Sequence, residues 1–571
     1  MKRVIERSIS GRGWYAADTE KTGNIVSDIL CSRGICDDAE IRKFLNPSLK
    51  EQMPDPFVLA GMERAANTAV DAIFAKKRIM IFGDYDVDGI TATAICVKFF
   101  AAIGADVRWR LPSRAEGYGL SPDAISEMKS DGAELIITVD CGISSIAEAT
   151  LARELGMTLV ITDHHMPDVI IPDADAVVNP KQPGDTSGLH YLAGVGVAFM
   201  FLVAVNRELK RREMPHMESH DMMNFLDLVA IGTICDTMPL VELNRAIAAT
   251  GLRVLARTDN IGISALMNVA GAKSPSVYSV GFVIGPRLNA AGRMDTADDS
   301  LKLLLTDNPL IANDLAVRLD ELNQDRKGVE DKTLMAAVQM AAGQPDAKCM
   351  FLCGDDWHGG IMGIVASRIK ERYNVPTCVA TRRNGIINGS GRSVAGIDLG
   401  AIIRAALDNG ILTEGGGHAM AAGFSLHAEN ENKFREFLEI SVVAQLDGAC
   451  ISNDIVADAE IDAGGADMKL VRELSAMAPF GQGNPEPTLI INGGTLAYAS
   501  HMGTNHLRGN LRTSAGTSLA FVGFNMATTP VGKFLLDDAN TGAKIMLAGK
   551  LKENEYNGRV TAQFVIDDAA I

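Results

Sequence analysis

The chain has 571 residues, 47% hydrophobic and 22% charged, with 55 glycines and a formal net charge of −17. At roughly 100–200 residues per domain this length predicts three or four domains, with the composition of a folded globular chain rather than a disordered or fibrous one. The acidic balance argues against broad attraction to nucleic acid and leaves only a local basic cleft for such a partner, although carboxylates that hold metal also swell the formal negative total. Nine cysteines are scattered without a CxxC pair. Cys31 and Cys36 stand close in sequence, but no histidine pair stands beside them at zinc spacing, so the reading is a reducing compartment without a disulfide framework or zinc module. The opening stretch MKRVIERSISGRGWYAADTE has no apolar core and is not read as a secretory signal.

Residues 1–75 read as helical and mixed. A repeating pattern then begins: RIMIF (Arg78–Phe82) as a strand, TATAICVKFFAAIG as a helix, ADVRWRLP as a strand, SPDAISEMKSDG as a helix. ELIITV (Glu134–Val139), TLVIT (Thr158–Thr162) and ADAVVNP continue the strands. Alternation at these lengths predicts a mostly parallel sheet covered on both faces. GLHYLAGVGVAFMFLVAVN (Gly188–Asn206) carries no formal charge if His190 is neutral. Three glycines and a histidine favour a buried helix there over a membrane span. Residues 76–310 thus form one α/β domain, and a charged helical stretch, 311–342, connects it to a second α/β pattern over 343–448. Beyond residue 449 short alternating segments such as TSLAFVGF and RVTAQFVI predict a small antiparallel β-barrel.

Chemistry-bearing residues gather where ligands sit in parallel sheets, beyond the carboxyl ends of the strands. Asp84, Asp86 and Asp88 follow RIMIF, Asp140 follows ELIITV, and Asp163, His164 and His165 follow TLVIT, while Asp236 ends an apolar helical run. Two unit charges about 4 Å apart repel by roughly 4 kcal/mol at an effective dielectric near 20, so such a rim calls for divalent cations. Carboxylates with imidazole suit Mn2+ or Mg2+, and two such ions suit attack on phosphorus. Extended backbone would set Asp84, Asp86 and Asp88 on one face. The spacing D-x-D-x-D-G also opens an EF-hand calcium loop, but the twelfth position from Asp84 is Ile95 rather than glutamate. Singly, each motif also reads as an acidic turn, a helix cap or a surface loop; their joint placement points to metal. In the second lobe, GSGRS (Gly389–Ser393) with Ser390 and Arg392 offers a phosphate cradle, and EGGGHAMAAGFS (Glu414–Ser425) a glycine-rich loop opening a helix, with His418 at its start. Plain turns are the alternative for both. Arg287 and Arg293 in GPRLNAAGRM add positive charge, or pair with acidic neighbours.

GDYDVDGITA, RAEGYGL (Arg114–Leu120), TVDCGI, TDHH, NPK, LAGVGVAF, GTICDTMPL, GPRLNAAGRM, WHGGIMGIVASRI, GSGRS, GGGHAMAAGF and PFGQGNPEP follow one another in that order. On these motifs, over nearly its whole length, the chain resembles the DHH phosphoesterase superfamily and, within it, the single-strand-specific exonucleases. The resemblance implies a DHH-type parallel-sheet catalytic domain, a DHHA1-like substrate-binding domain and a C-terminal OB-fold that binds single strands. It implies two ions, Mn2+ or Mg2+: one held by Asp84, Asp86 and Asp140, the other by Asp88, Asp140, His164 and Asp236. Phe82 stands where related pyrophosphatases carry a histidine ligand, and Asp84 would replace it. His165 would face the scissile phosphate or leaving group, with Asp163 supporting its loop. Ser390, Arg392, His418 and Arg287 would hold a terminal phosphate. Cys235 departs from the small residue usual beside the metal aspartate.

The activity implied is 5′→3′ digestion of single-stranded DNA to 5′ mononucleotides in recombination and repair. A monomer would work with a single-strand binding protein and a helicase in a bacterial-type, nucleoid-associated cytoplasm. Two rivals are a phosphodiesterase for short oligoribonucleotides or cyclic dinucleotides, against which the length weighs, and a silent replication scaffold, against which the filled aspartate positions weigh.

Overall fold

A computed structural model describes residues 1–18, 22–113, 116–117, 119–213, 221–294, 296–448, 451–513, 516–538 and 542–571. Of the RAEGYGL stretch, Arg114, Ala115 and Tyr118 lie outside the described residues. The chain divides into two units, one of Asp55–Asp236 with Gly251–Ser452, the other of Met1–Pro54, Thr237–Thr250 and Asn453–Ile571.

The first unit holds two sheets. In one, five parallel strands run in the order Val107–Arg110, Ile79–Gly83, Leu135–Val139, Thr158–Thr162, Ala176–Val178. The three central strands are almost wholly buried, as near-continuous apolar runs in a doubly covered parallel sheet must be. Helix Val87–Ala102 buries Phe99 and Phe100. The uncharged stretch folds as helix Gly194–Arg211, buried along most of its length, and among the described residues no helix is long and apolar enough to cross a membrane.

Helix Pro309–Ala342 runs for 34 residues, started by Asn308 capping Leu310 and Ile311 and by proline in the first turn. Its buried positions, Ala312, Ala316, Leu319, Asn323, Arg326, Glu330, Thr333, Ala337 and Ala341, recur every three or four residues and form one stripe. That stripe packs on helices Ile261–Ala270 and Gly285–Met294, and farther along on Met362–Tyr373. Within it Arg326 and Glu330 pair at 2.7 Å, so part of the connector's charge is internal.

The second sheet has the order Glu414–His418, Ala421–His427, Ile386–Arg392, Thr377–Arg383, Met350–Asp355, antiparallel except for the last pair. Two expectations change here. GSGRS is not a plain turn: Ser390 and Arg392 lie within a central strand. EGGGHAMAAGFS does not open a helix but forms a hairpin, with His418 closing its first strand. Glycine runs carry no apolar periodicity, so their role is set by neighbours. A Cβ on Gly389 would stand 2.3 Å from the Phe424 ring and one on Gly391 2.5 Å from Leu399, so close neighbours require glycine at both positions of the strand.

In the second unit, six strands run in the order Ala459–Asp462, Leu489–Met502, His506–Arg512, Ser518–Gly523, Arg559–Ala570, Lys544–Tyr556. Leu489–Met502 also pairs with Lys544–Tyr556 and closes a barrel around Leu507, Leu511, Phe521 and Phe564. The expected all-antiparallel run is in fact mixed, with two parallel pairings. The expected N-terminal segment 1–75 is divided between the two units: residues 55–75 group with the catalytic domain, Met1–Pro54 with the barrel. The reason is backbone pairing, since Trp14–Ala16 lies parallel to Ile455–Ala457, and buried Trp14 donates from Nε1 to Asp568 at 3.0 Å. Arg245 is buried in the same unit and donates to the carbonyls of Phe44, Met477, Ala478 and Pro479. Cys31 and Cys36 are joined by a disulfide, which departs from the expectation of reduced thiols at this one pair.

Candidate metal centre

The carboxyl ends of three adjacent strands supply the centre. Ile79–Gly83 leads into Asp84, Asp86 and Asp88, Leu135–Val139 into Asp140, and Thr158–Thr162 into Asp163, His164 and His165. The three opening aspartates do not lie on one extended strand. Asp86 is the N-cap of helix Val87–Ala102 and accepts from the amides of Asp88 and Gly89, while Asp88 sits in the first turn. The tight turn, not strand alternation, gathers them. Gly89 is needed because a Cβ there would meet the Asp84 backbone at 2.6 Å. Asp140 has φ 62°, a left-handed conformation uncommon outside glycine and asparagine that turns its carboxylate into the cluster.

Two groups of donors form. Asp84, Asp86 and Asp140 bring ligand atoms within 4.8 Å of one another, and so do Asp88, His164 and Asp236. Asp140, His164 and His165 form a third, overlapping group. Asp236 is the C-cap of helix Leu226–Cys235. Asp88 accepts from the amides of Gly194 and Val195 at 2.7 and 2.8 Å, at the start of helix Gly194–Arg211. Gly194 must be glycine, because a Cβ would lie 2.2 Å from Asp140 Oδ1.

The electrostatics of this cluster test the metal reading. Burial, reinforced by Asp86, raises the Asp88 carboxyl to about 7 despite two backbone donors. Burial followed by the charges of Asp88 and Asp86 also lifts Asp140 and Asp236 well above the usual range. His164 Nδ1 lies 3.0 Å from the Leu192 carbonyl; a carbonyl only accepts, so Nδ1 carries the proton. Nε2 then turns a lone pair toward Asp140, Asp236 and Asp88 oxygens at 3.2, 3.6 and 3.8 Å. Burial, then the His165 charge, lower its basicity and keep the ring neutral. A neutral imidazole has no proton to offer three carboxylates, and a cation between them would supply the missing attraction. The oxygen-rich set with one nitrogen fits Mn2+ or Mg2+.

Asp163 is fully buried and stands behind the ligands rather than among them. Its carboxylate accepts from the amides of Ile143, His164 and His165 and from His165 Nδ1 at 2.8 Å. Burial pushes this carboxyl up, but the hydrogen bond and charge of His165 outweigh it and hold it low. Burial likewise opposes protonation of His165, and the bond to Asp163 overcomes it. His165 lines a cleft of about 930 Å3 with Ser144, Arg404, Gly417 and His418, so the first lobe and the glycine hairpin share it.

The expected phosphate-binding residues divide. Arg392 and His418 both stand in register with Ala421, from its two sides. The Arg392 guanidinium lies against Gly363 in the first turn of helix Met362–Tyr373, where a Cβ would meet it at 2.8 Å. Among the described residues no carboxylate pairs with it. Ser390 lies two residues back on the same strand. Arg287 instead bonds Asp320 at 2.8 Å and the Val283 carbonyl, the paired alternative for this arginine. Arg293 reaches the Gly360 carbonyl, beside the turn that Arg392 meets. Residues of the NPK and GPRLNAAGRM motifs that were given no role above also support the centre. Asn179 is fully buried and donates to the His165 carbonyl, Asn289 accepts from the Val87 amide, and Lys181 places its charge near Asp236, Asp163 and Asp140. Asn179 and Lys181 follow strand Ala176–Val178, so the strand-end rule would have found them.

Comparison with known proteins agrees with this architecture. Residues 78–233 match the DHH family, N-terminal domain, residues 346–443 the DHHA1 domain, and residues 457–568 the RecJ OB domain. The chain is 36% identical over 560 residues to the single-stranded-DNA-specific exonuclease RecJ of Bacillus subtilis, covering 96% of this chain and 68% of that protein. It is 34% identical to the RecJ of Escherichia coli, covering 95% and 94%. The crystal structure of RecJ in complex with Mn2+ from Thermus thermophilus superposes with a TM-score of 0.79 at 30% identity, over 95% of this chain and 75% of that one. With its motifs, domain order and metal-centre geometry in agreement, the chain belongs to the RecJ family of DHH proteins.

Proposed function

We propose that this protein is a two-metal exonuclease that degrades single-stranded DNA from the 5′ end to 5′ mononucleotides. The observation that carries the reading is the pair of donor groups meeting at Asp140 and His164, with a neutral imidazole lone pair facing three carboxylates. Asp84, Asp86 and Asp140 would hold one ion, and Asp88, Asp140, His164 and Asp236 the other. Such ions neutralise phosphate charge and lower the pKa of an attacking water. The protein's own part is positional. Asp163 fixes the His165 tautomer through Nδ1, so the ring meets the scissile phosphate or the departing oxygen through Nε2. Ser390, Arg392 and His418 would hold a terminal phosphate across the cleft. Arg287 joins them only if substrate displaces its bond to Asp320. Recombination and repair are the processes that need such resection, in a bacterial cytoplasm at the nucleoid. A single-strand binding protein and a helicase are the partners proposed, and the enzyme itself is proposed to act as a monomer.

Digestion of 5′- and 3′-end-labelled single and double strands with Mn2+ or Mg2+ tests this. The expected result is early release of 5′ label as mononucleotide from single strands, abolished by chelator. Equal digestion of duplex, or preferential turnover of a dinucleotide, would reject it.

A further inference from the structure

The PFGQGNPEP stretch (residues 479–487) has no part in the chemistry described so far. It lies in the same unit as Thr237–Thr250, the segment that begins one residue after the candidate ligand Asp236. The two segments interlock. Leu240 donates its amide to the Gln482 carbonyl at 2.7 Å. A Cβ on Gly481 would stand 2.7 Å from the Leu240 side chain, and one on Gly483 3.0 Å from Val241 and 3.2 Å from Pro239. Glycine at both positions lets the turn close on Pro239, Leu240 and Val241. The grip is itself braced. Arg245, 1% exposed, donates to the carbonyls of Met477, Ala478 and Pro479. Asn484, equally buried, donates to those of Met477 and Pro479 at 2.9 Å and accepts from Arg33 at 3.0 Å. Buried donors and acceptors satisfied in this way fix the turn in one conformation. Between Asp236 and Leu240 stand only Thr237, Met238 and Pro239. Thr237 has φ 58°, and a β-branched residue keeps that left-handed conformation only where its surroundings enforce it.

We propose that the PFGQGNPEP turn is a clamp that positions the Asp236 carboxylate, and so sets the affinity of the ion that Asp236 would share with Asp88, Asp140 and His164. The inference rests on the reading of those four residues as metal ligands. Asp236 is the C-cap of its helix, where the chain leaves helical geometry, so the residues after it decide how its carboxylate is aimed. Gly481, Gly483 and Asn484 act through Asp236 and are positioning residues.

The test uses the full chain, an Asn484→Ala variant, and a Gly481→Ala variant that intrudes on Leu240 without deleting a hydrogen bond. Trp14→Phe, which removes the donor to Asp568 in the same unit, controls for general loosening. Mn2+ is titrated without DNA, with free ion read by its EPR signal, and melting is followed in chelator. Both turn variants bind one of the two ions about tenfold or more weaker, the scale of losing a group that orients a ligand. The control melts lower and binds both ions as the wild type does. On single strands at low Mn2+ the turn variants lose kcat and regain it when Mn2+ is raised, with KM for the strand within twofold. Unchanged Mn2+ affinity in either folded turn variant overturns the clamp, as does equal weakening in the control. A raised KM with intact Mn2+ affinity also overturns it and assigns the turn to the barrel's hold on the strand. The expected Mn2+ shifts, in a protein whose wild type cuts no single strands, would reject the exonuclease reading and leave the clamp standing.

Discussion

The metal centre and the glycine hairpin both carry conspicuous motifs, yet they behave oppositely under folding. In the first, acidic and imidazole groups from four distant stretches meet as anticipated, because each follows an element whose apolar pattern is unmistakable. In the second, GSGRS, read as a phosphate cradle or a plain turn, lies in a strand through Arg392, and Glu414–Ser425, read as a loop opening a helix, forms a hairpin. A charge cluster announces itself through energetic cost, since several buried carboxylates need a compensating cation. A glycine run announces only that something comes close, and here the Phe424 ring does so.

Substitutions can break that contrast at its strongest point. Asp140→Asn and His164→Ala are each expected to lower kcat on single strands at least about a thousandfold, the scale of losing a transition-state electrostatic contact. Asp140→Asn should at the same time raise the melting temperature of the metal-free protein, because it removes a carboxyl whose ionisation is opposed by burial and then by Asp88 and Asp86. Thermal melts in chelator, set beside steady-state rates in Mn2+, read both signs; a lower melting temperature would contradict the repulsion.

Asp163→Asn should cost about 10- to 100-fold, as expected for a residue that orients another. It should also move the alkaline limb of the pH–rate profile to lower pH, since Asp163 holds the His165 proton. An unchanged profile would reduce Asp163 to a structural group.

Stability against pH sharpens the comparison further. Folded Asp88 binds its proton more tightly than the unfolded chain does, between the ordinary 3.8 and about 7. The metal-free protein therefore loses stability as pH rises through that window. Mn2+ binds the deprotonated form, so added ion should raise the melting temperature most near neutral pH and little near pH 4. Melts with and without Mn2+ over this range check the prediction.

The smallest effects are expected in the hairpin lobe. Arg392→Ala should raise KM about tenfold with kcat nearly unchanged, on the scale of losing a charge-assisted hydrogen bond. Arg287→Ala should mainly lower stability by releasing Asp320. Equal KM increases in the two variants would show that substrate displaces the Asp320 bond.

Much of the fold was legible in the sequence because strands and helices alternate with clear periods and the long helix has a clean start at Asn308–Pro309. The partners of Met1–Pro54 were not legible, because three-residue strands such as Trp14–Ala16 and Ile455–Ala457 carry no period to read. Among site residues, the acidic and imidazole groups could be found from strand ends. Asn179 and Asn289 could not be assigned roles, because a buried amide is ambiguous until its acceptor or donor is known.

The sequence alone determined the parallel sheet, the order of the domains and the set of carboxylates gathered at one rim, since hydrophobic period and strand-end position are local properties. Only the tertiary structure decided that Asp86 caps a helix, that His164 turns an unprotonated nitrogen toward three carboxylates, and that Arg287 pairs with Asp320 while, among the described residues, no carboxylate pairs with Arg392. These depend on which atoms from distant segments come within about 3 Å, the distance at which a hydrogen bond forms and a tautomer is chosen.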